Sequence, residues 1–80
     1  MSEDLHERAH DVDATLRVGK AGIESVADEL RTQLKERELV KVKFLRSARG
    51  GTTTEELADD LAALVDAEVV ETRGHTAVFH

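Results

Sequence analysis

A chain of 80 residues has room for one domain, spanning 1–80, and one modest core; no second domain is expected within it. With 40% apolar and 35% charged residues the chain should fold as a globular protein, and the lack of cysteine excludes a disulfide framework, a thiolate nucleophile and any Cys-containing zinc site. The net charge of −6 speaks at first against a nucleic-acid partner, although the distribution of charge matters more than its total.

Taken in chain order, residues 3 to 11 read as a short acidic helix, with Ser2 as a candidate N-cap and Leu5, Ala9 and Val12 along one face. Residues 14 to 18 alternate as a strand. Gly19-Lys20-Ala21-Gly22 breaks that pattern, and Ile23, Val26, Ala27, Leu30 and Leu34 then recur at the spacing of an amphipathic helix. From Leu39 to Leu45 a second strand places Val40, Val42 and Phe44 on one face and Lys41 and Lys43 on the other. Ala48 to Thr52 is a loop marked by Gly50-Gly51. Thr53 followed by Glu56 predicts a capping box for a helix whose buried stripe is Leu57, Leu61, Leu64 and Val65. Residues 68 to 73 and 76 to 80 are expected to be strands joined at Gly74-His75, where the glycine supplies a positive φ.

The order α-β-α-β-α-β-β makes the fold class α/β. Right-handed crossovers running the same way across the sheet put two helices on one face and leave the opposite face for a partner. No stretch approaches the roughly 20 apolar residues of a bilayer span, and the N-terminal residues are acidic; a cytoplasmic monomer with no membrane contact is expected. The 17 acids, set against only the lysines Lys20, Lys35, Lys41 and Lys43, also suggest a high-salt cytoplasm.

The Gly19 to Gly22 loop joins a strand to a helix, so its amides stand at the positive end of a helix dipole, an arrangement suited to a phosphate oxygen. Glycines there avoid a Cβ that would hold a phosphate away, and Lys20 adds a mobile charge. Backbone clamping by a G-x-x-G loop is the device KH domains use on single-stranded nucleic acid. Lys41 and Lys43, with Arg17 near the end of the first strand, extend a positive track beside the loop, and Arg46 and Arg49 add a basic arm. The bland alternatives are an ordinary positive-φ turn and a strand face kept soluble by lysines.

Val18-Gly19-Lys20-Ala21-Gly22-Ile23, then Glu38-Leu39-Val40-Lys41-Val42-Lys43, then Arg73-Gly74-His75-Thr76 leading into Val78-Phe79 resemble, in order and spacing, the CRM domain of the YhbY-like family. The resemblance covers about residues 14 to 80. It implies a four-stranded mixed sheet with helices packed on it, similar to the C-terminal domain of bacterial translation initiation factor three. It also implies a role in binding RNA, since stand-alone bacterial members associate with precursors of the large ribosomal subunit and plant members assist intron splicing. On that resemblance Gly19, Lys20, Ala21 and Gly22 form the RNA-contacting loop, with Lys41 and Lys43 as helpers. Glu24 and Glu29 on the following helix, and His80 where many relatives carry Tyr, depart from the family pattern.

His6-Glu7-Arg8-Ala9-His10 matches the H-E-x-x-H zinc-protease pattern, in which two histidines share a helix face and the glutamate acts as base. It lies in a terminal helix with no evident third ligand or cleft, so no catalytic residue, metal or cofactor is assigned. Serines 2, 25 and 47 lack a nucleophile signature. Phe44 and Phe79 are too few for a stacking platform, which favours recognition of backbone and shape in structured RNA. The main rival is a protein-interaction adaptor on the same fold; a metal hydrolase built on His6 and His10 is the other.

Overall fold

The computed structural model describes the chain from Leu5 to His80, and its side chains from Glu7 onward. Three helices, α1 (Leu5–Ala9), α2 (Glu24–Glu36) and α3 (Thr54–Val65), alternate with four strands, β1 (Ala14–Val18), β2 (Val40–Phe44), β3 (Val69–Arg73) and β4 (Thr76–Phe79). The sheet order is β1-β2-β4-β3. β1 runs parallel to β2, while β4 is antiparallel to both β2 and β3, so the sheet is mixed and β3 runs the same way as β1 and β2. The expected α/β order is therefore the observed one, with α2 and α3 on the same face because both crossovers run the same way across the sheet.

The main core lies under those two helices. Val18, Val40, Val42, Phe44, Ala77 and Phe79 from the sheet meet Val26, Ala27 and Leu30 from α2 and Ala58, Leu61, Ala62 and Val65 from α3. Burial of each large aliphatic or aromatic member contributes about 1.5–3 kcal/mol. Leu64, expected in the stripe of α3, is 40% exposed. Alanines 58 and 62 occupy the inward line in its place, together with buried Thr54.

The termini of the helices have identifiable chemistry. Thr53 accepts from the amide of Glu56 at 3.1 Å, which is half of the expected capping box. The other half is replaced: the Glu56 carboxylate accepts from the Thr52 hydroxyl at 2.7 Å. At its C-terminus α3 ends in a Schellman motif, with Ala67 N–H donating to Ala62 O at 2.9 Å and Asp66 at φ 59 in the left-handed position usually held by glycine. Arg31 of α2 ties the two helices together by donating to Leu64 O at 3.0 Å.

The face opposite α2 and α3 is only partly free, which corrects the expectation of an open face. Leu39 and Val78 point to that side, and Ala9, with Val12 beside it, closes over them as a second small core with Val70. α1 ends at Ala9, short of the expected residue 11, because the amides of His10, Asp11 and Val12 turn back to Glu7 O, Arg8 O and Ala9 O in a tighter i to i+3 pattern. An Arg8–Glu38 ion pair fastens the helix to the segment before β2. Ser2 and the His6 side chain lie outside the described residues. No helix among the described residues is long and apolar enough to cross a membrane.

Candidate nucleic-acid interface

Three connections gather at one end of the sheet. The Gly19–Gly22 loop leaves β1, a 3-10 turn at Arg46–Ala48 leaves β2, and the two-residue hairpin turn at Gly74-His75 joins β3 to β4. Leu45 N–H donates to Val18 O at 2.8 Å and Phe44 N–H to His75 O at 2.7 Å, so these connections are hydrogen-bonded side by side. Gly74, at φ 58, supplies the positive φ expected of this turn.

The G-x-x-G loop is a closed turn, with Gly22 N–H donating to Gly19 O at 3.0 Å. This refines the sequence picture of bare amides: that of Gly22 is committed within the turn, whereas those of Lys20 and Ala21 donate to nothing among the described residues. Both of these residues are exposed. The two glycines differ in their reasons. Gly22 has φ 88, which side chains rarely adopt, and a Cβ on it would point into open space. Gly19 has no such requirement; its Cβ would face Ser47 Oγ at 3.4 Å and Leu45 Cδ1 at 3.6 Å, toward the protein. Beyond the loop, α2 starts at Ile23 without a side-chain cap. Glu24 stands exposed in its first turn.

Beside the loop, strand register assembles a row. Arg17 of β1 pairs with Lys43 of β2, Lys43 with Thr76 of β4, and Thr76 with Arg73 of β3. With strands about 4.8 Å apart, the four positions cross the whole sheet in roughly 14 Å. All four side chains share the face away from α2 and α3, because their neighbours Val18, Val42, Phe44 and Ala77 point into the core. Lys41 lies one row further from the loop, opposite Val78. Among the described residues Arg17, Lys20, Lys41, Lys43 and Arg46 take part in no ion pair, so their charge is available to a polyanion. The acids of α2 and α3, including Asp28, Glu29, Asp59 and Asp60, stand exposed on the opposite side of the molecule.

Arg49 is placed differently from the other basic candidates. Its Nε donates to Phe44 O at 3.1 Å and the residue is half-buried, so part of its guanidinium holds the end of β2. Arg73, which the sequence placed in the hairpin motif but not among the RNA-contacting residues, joins the row with a side chain 65% exposed. Its place depends on which residue of a neighbouring strand it faces, and a single strand's pattern does not carry that information. Arg73 Nη2 donates to His10 Nε2 at 2.8 Å, with Glu71 Oε1 3.4 Å from the same ring nitrogen. Among the described residues no three His, Asp or Glu side chains converge as a metal site. A groove of about 340 Å³ between the C-terminal ends of α2 and α3 is lined by Leu34, Val65 and His80 among others and shares no residue with the loop or the row.

The chain is similar to proteins of known description. A protein of Methanocaldococcus jannaschii whose name gives RNA binding as its inferred role is 43% identical over 75 residues, covering 94% of this chain. The chain spans 56% of that relative's length. The solution structure of a Staphylococcus aureus protein, also described with RNA binding as an inferred role, superposes with a TM-score of 0.76 at 31% identity, covering 95% of this chain and 78% of the other. The sequence pattern of the CRS1 / YhbY (CRM) domain matches residues 2–80, and with the loop, sheet order and hairpin all in place the chain belongs to that family.

Proposed function

We propose that the protein is an RNA-binding protein without enzymatic activity, which holds structured RNA, specifically ribosomal RNA of the assembling large subunit, on the Gly19–Gly22 loop and the basic row beside it. The observation that carries this reading is the row itself: a chain of net charge −6 keeps Arg17, Lys43 and Arg73 in register across one sheet face, next to a loop that exposes two unengaged amides. Arg17 and Lys43 take part in no ion pair among the described residues, and an acidic protein gains nothing in folding from gathering such cations; a polyanionic ligand accounts for them. Family membership and the inferred roles of both relatives support RNA as that ligand. The family resemblance is what supports a ribosomal target.

In this mechanism no bond is made or broken. The Lys20 and Ala21 amides donate to phosphate oxygens, the Lys20 ammonium neutralises them, and Arg17, Lys41, Lys43 and Arg73 hold the flanking backbone, with Arg46 at the rim. Ala21→Asp is the sharpest test, because residue 21 is exposed, needs no positive φ and would place a carboxylate against the phosphate. In gel shifts with a ribosomal RNA fragment at one stated salt concentration, the variant is expected to lose at least about tenfold in affinity with an unchanged melting temperature. Unchanged binding removes the loop from the mechanism. The same reading sets the protein in a high-salt cytoplasm, where shielding relieves repulsion among its acids. Stability against urea should then rise from low to molar KCl; a flat response removes that element alone.

A further inference from the structure

The row contains one residue that is not a cation, and its hydrogen bonding restricts what it can recognise. Thr76 Oγ1 donates to Arg73 O at 2.8 Å. A carbonyl can only accept, so the threonine proton is committed and the oxygen of this half-buried side chain is left purely as an acceptor. Phosphate oxygens are also acceptors and gain nothing from it. Thr76 nevertheless stands in direct register between Lys43 and Arg73, the two groups that attract phosphates. Between successive phosphates on a strand lies the sugar, and the one donor that a sugar within a nucleic-acid chain offers is the ribose 2′-hydroxyl, which deoxyribose lacks. Bases are poor candidates for this position. Phe44 and Phe79 are both 0% exposed beneath the helices, so neither offers a ring to a base on this face.

We propose that Thr76 is the residue by which the protein distinguishes ribose from deoxyribose, accepting a hydrogen bond from a 2′-hydroxyl whose neighbouring phosphates rest on Lys43 and Arg73. This rests on the RNA-binding reading above and adds the group that makes the site specific for RNA. Arg17 and Lys20 attract any phosphate chain; Thr76 supplies the chemical choice.

The test compares an RNA hairpin with a DNA hairpin of the same sequence at one KCl concentration, using the wild type, Thr76→Val and Thr76→Ser. Valine keeps the β-branched shape of the strand residue and removes the acceptor. Thr76→Val is expected to weaken RNA binding by roughly 3- to 10-fold, the worth of one neutral hydrogen bond, and to leave DNA binding unchanged. Thr76→Ser should keep the wild-type ratio. A folding defect would instead lower both arms together, so a second measurement uses the wild type alone: single 2′-deoxy substitutions along the RNA should reveal one position that costs a similar factor. An RNA-to-DNA ratio unmoved by Thr76→Val, or a deoxy scan with no sensitive position, overturns the role of Thr76 while RNA binding stands. A wild type that fails to bind RNA overturns the functional reading itself.

Discussion

Arg73 donates to His10 through a 2.8 Å hydrogen bond that joins residues 63 positions apart, coupling the turn after α1 to the end of β3. Arg73 Nε also lies 3.9 Å from Glu71 Oε2, so the guanidinium is held by both His10 and Glu71 while its side chain stays 65% exposed. Replacing His10 with Ala should loosen α1 without threatening the fold, because the pair is exposed and contributes less than about 1 kcal/mol. Hydrogen exchange is expected to accelerate at residues 7 to 12 and to stay unchanged in β2 and β4; protection that persists at residues 7 to 12 would show that Ala9 and Val12 hold the helix by themselves.

Cations that touch phosphates leave a signature in salt dependence. Lys43→Gln and Arg73→Gln should each reduce the slope of log affinity against log salt concentration by about 0.7 to 0.9, the value for one released counterion. Asp60→Asn, on the opposite helical surface, should leave the slope unchanged. A Lys43→Gln variant with the wild-type slope would place the RNA elsewhere on the surface.

The left-handed position at the end of α3 is held by an aspartate at φ 59, beside carbonyls that already carry the negative end of the helix dipole. Asp66→Gly removes both the backbone strain and the unfavourable charge. An increase in unfolding free energy of about 1 kcal/mol is expected, measured as a higher urea midpoint at constant slope. A decrease would mean that chain entropy gained by the unfolded state outweighs the strain.

Glu38 has its carboxyl held below the usual carboxylate range, chiefly by the hydrogen bond from Arg8, with the positive charges of Arg8 and His80 adding to it and desolvation opposing it. A carboxyl with a lowered folded-state pKa contributes stability above its unfolded value, and loses it as pH falls through the folded value. The gap in urea midpoint between wild type and Glu38→Gln should therefore be present at neutral pH and close on acidification through the carboxylate range. A gap independent of pH would assign the effect to packing.

How much could be read in advance differs from element to element. β1 was legible to the residue, and Val40, Val42 and Phe44 announced the buried side of β2, because strand alternation is local. The positive φ of Gly74 was legible for the same reason, whereas the sequence did not say which loop glycine needs one, and it is Gly22. Leu64 was misplaced because a stripe of leucines ignores how closely α2 approaches; Ala58 and Ala62 fit that line and a leucine is left at its margin. The loop residues and Lys43 were visible from spacing, whereas Arg73 and Thr76 became part of the site only through pairing across β3 and β4. Arg49 looked like a free cation, and its bond to Phe44 O emerges only once the chain has folded back.

The sheet order has a bearing on synthesis. β2 and β3 share no ladder with each other; each pairs with β4, whose residues 76 to 79 follow all the others in the sheet. As the chain emerges from the ribosome it can close β1 on β2 and assemble α2 over them, but β3 has no strand to join until Phe79 is released. The keystone of the sheet is thus its last piece delivered, and a nascent chain halted before residue 76 would hold the β1–β2 pair and an unpaired β3 awaiting the strand that unites them.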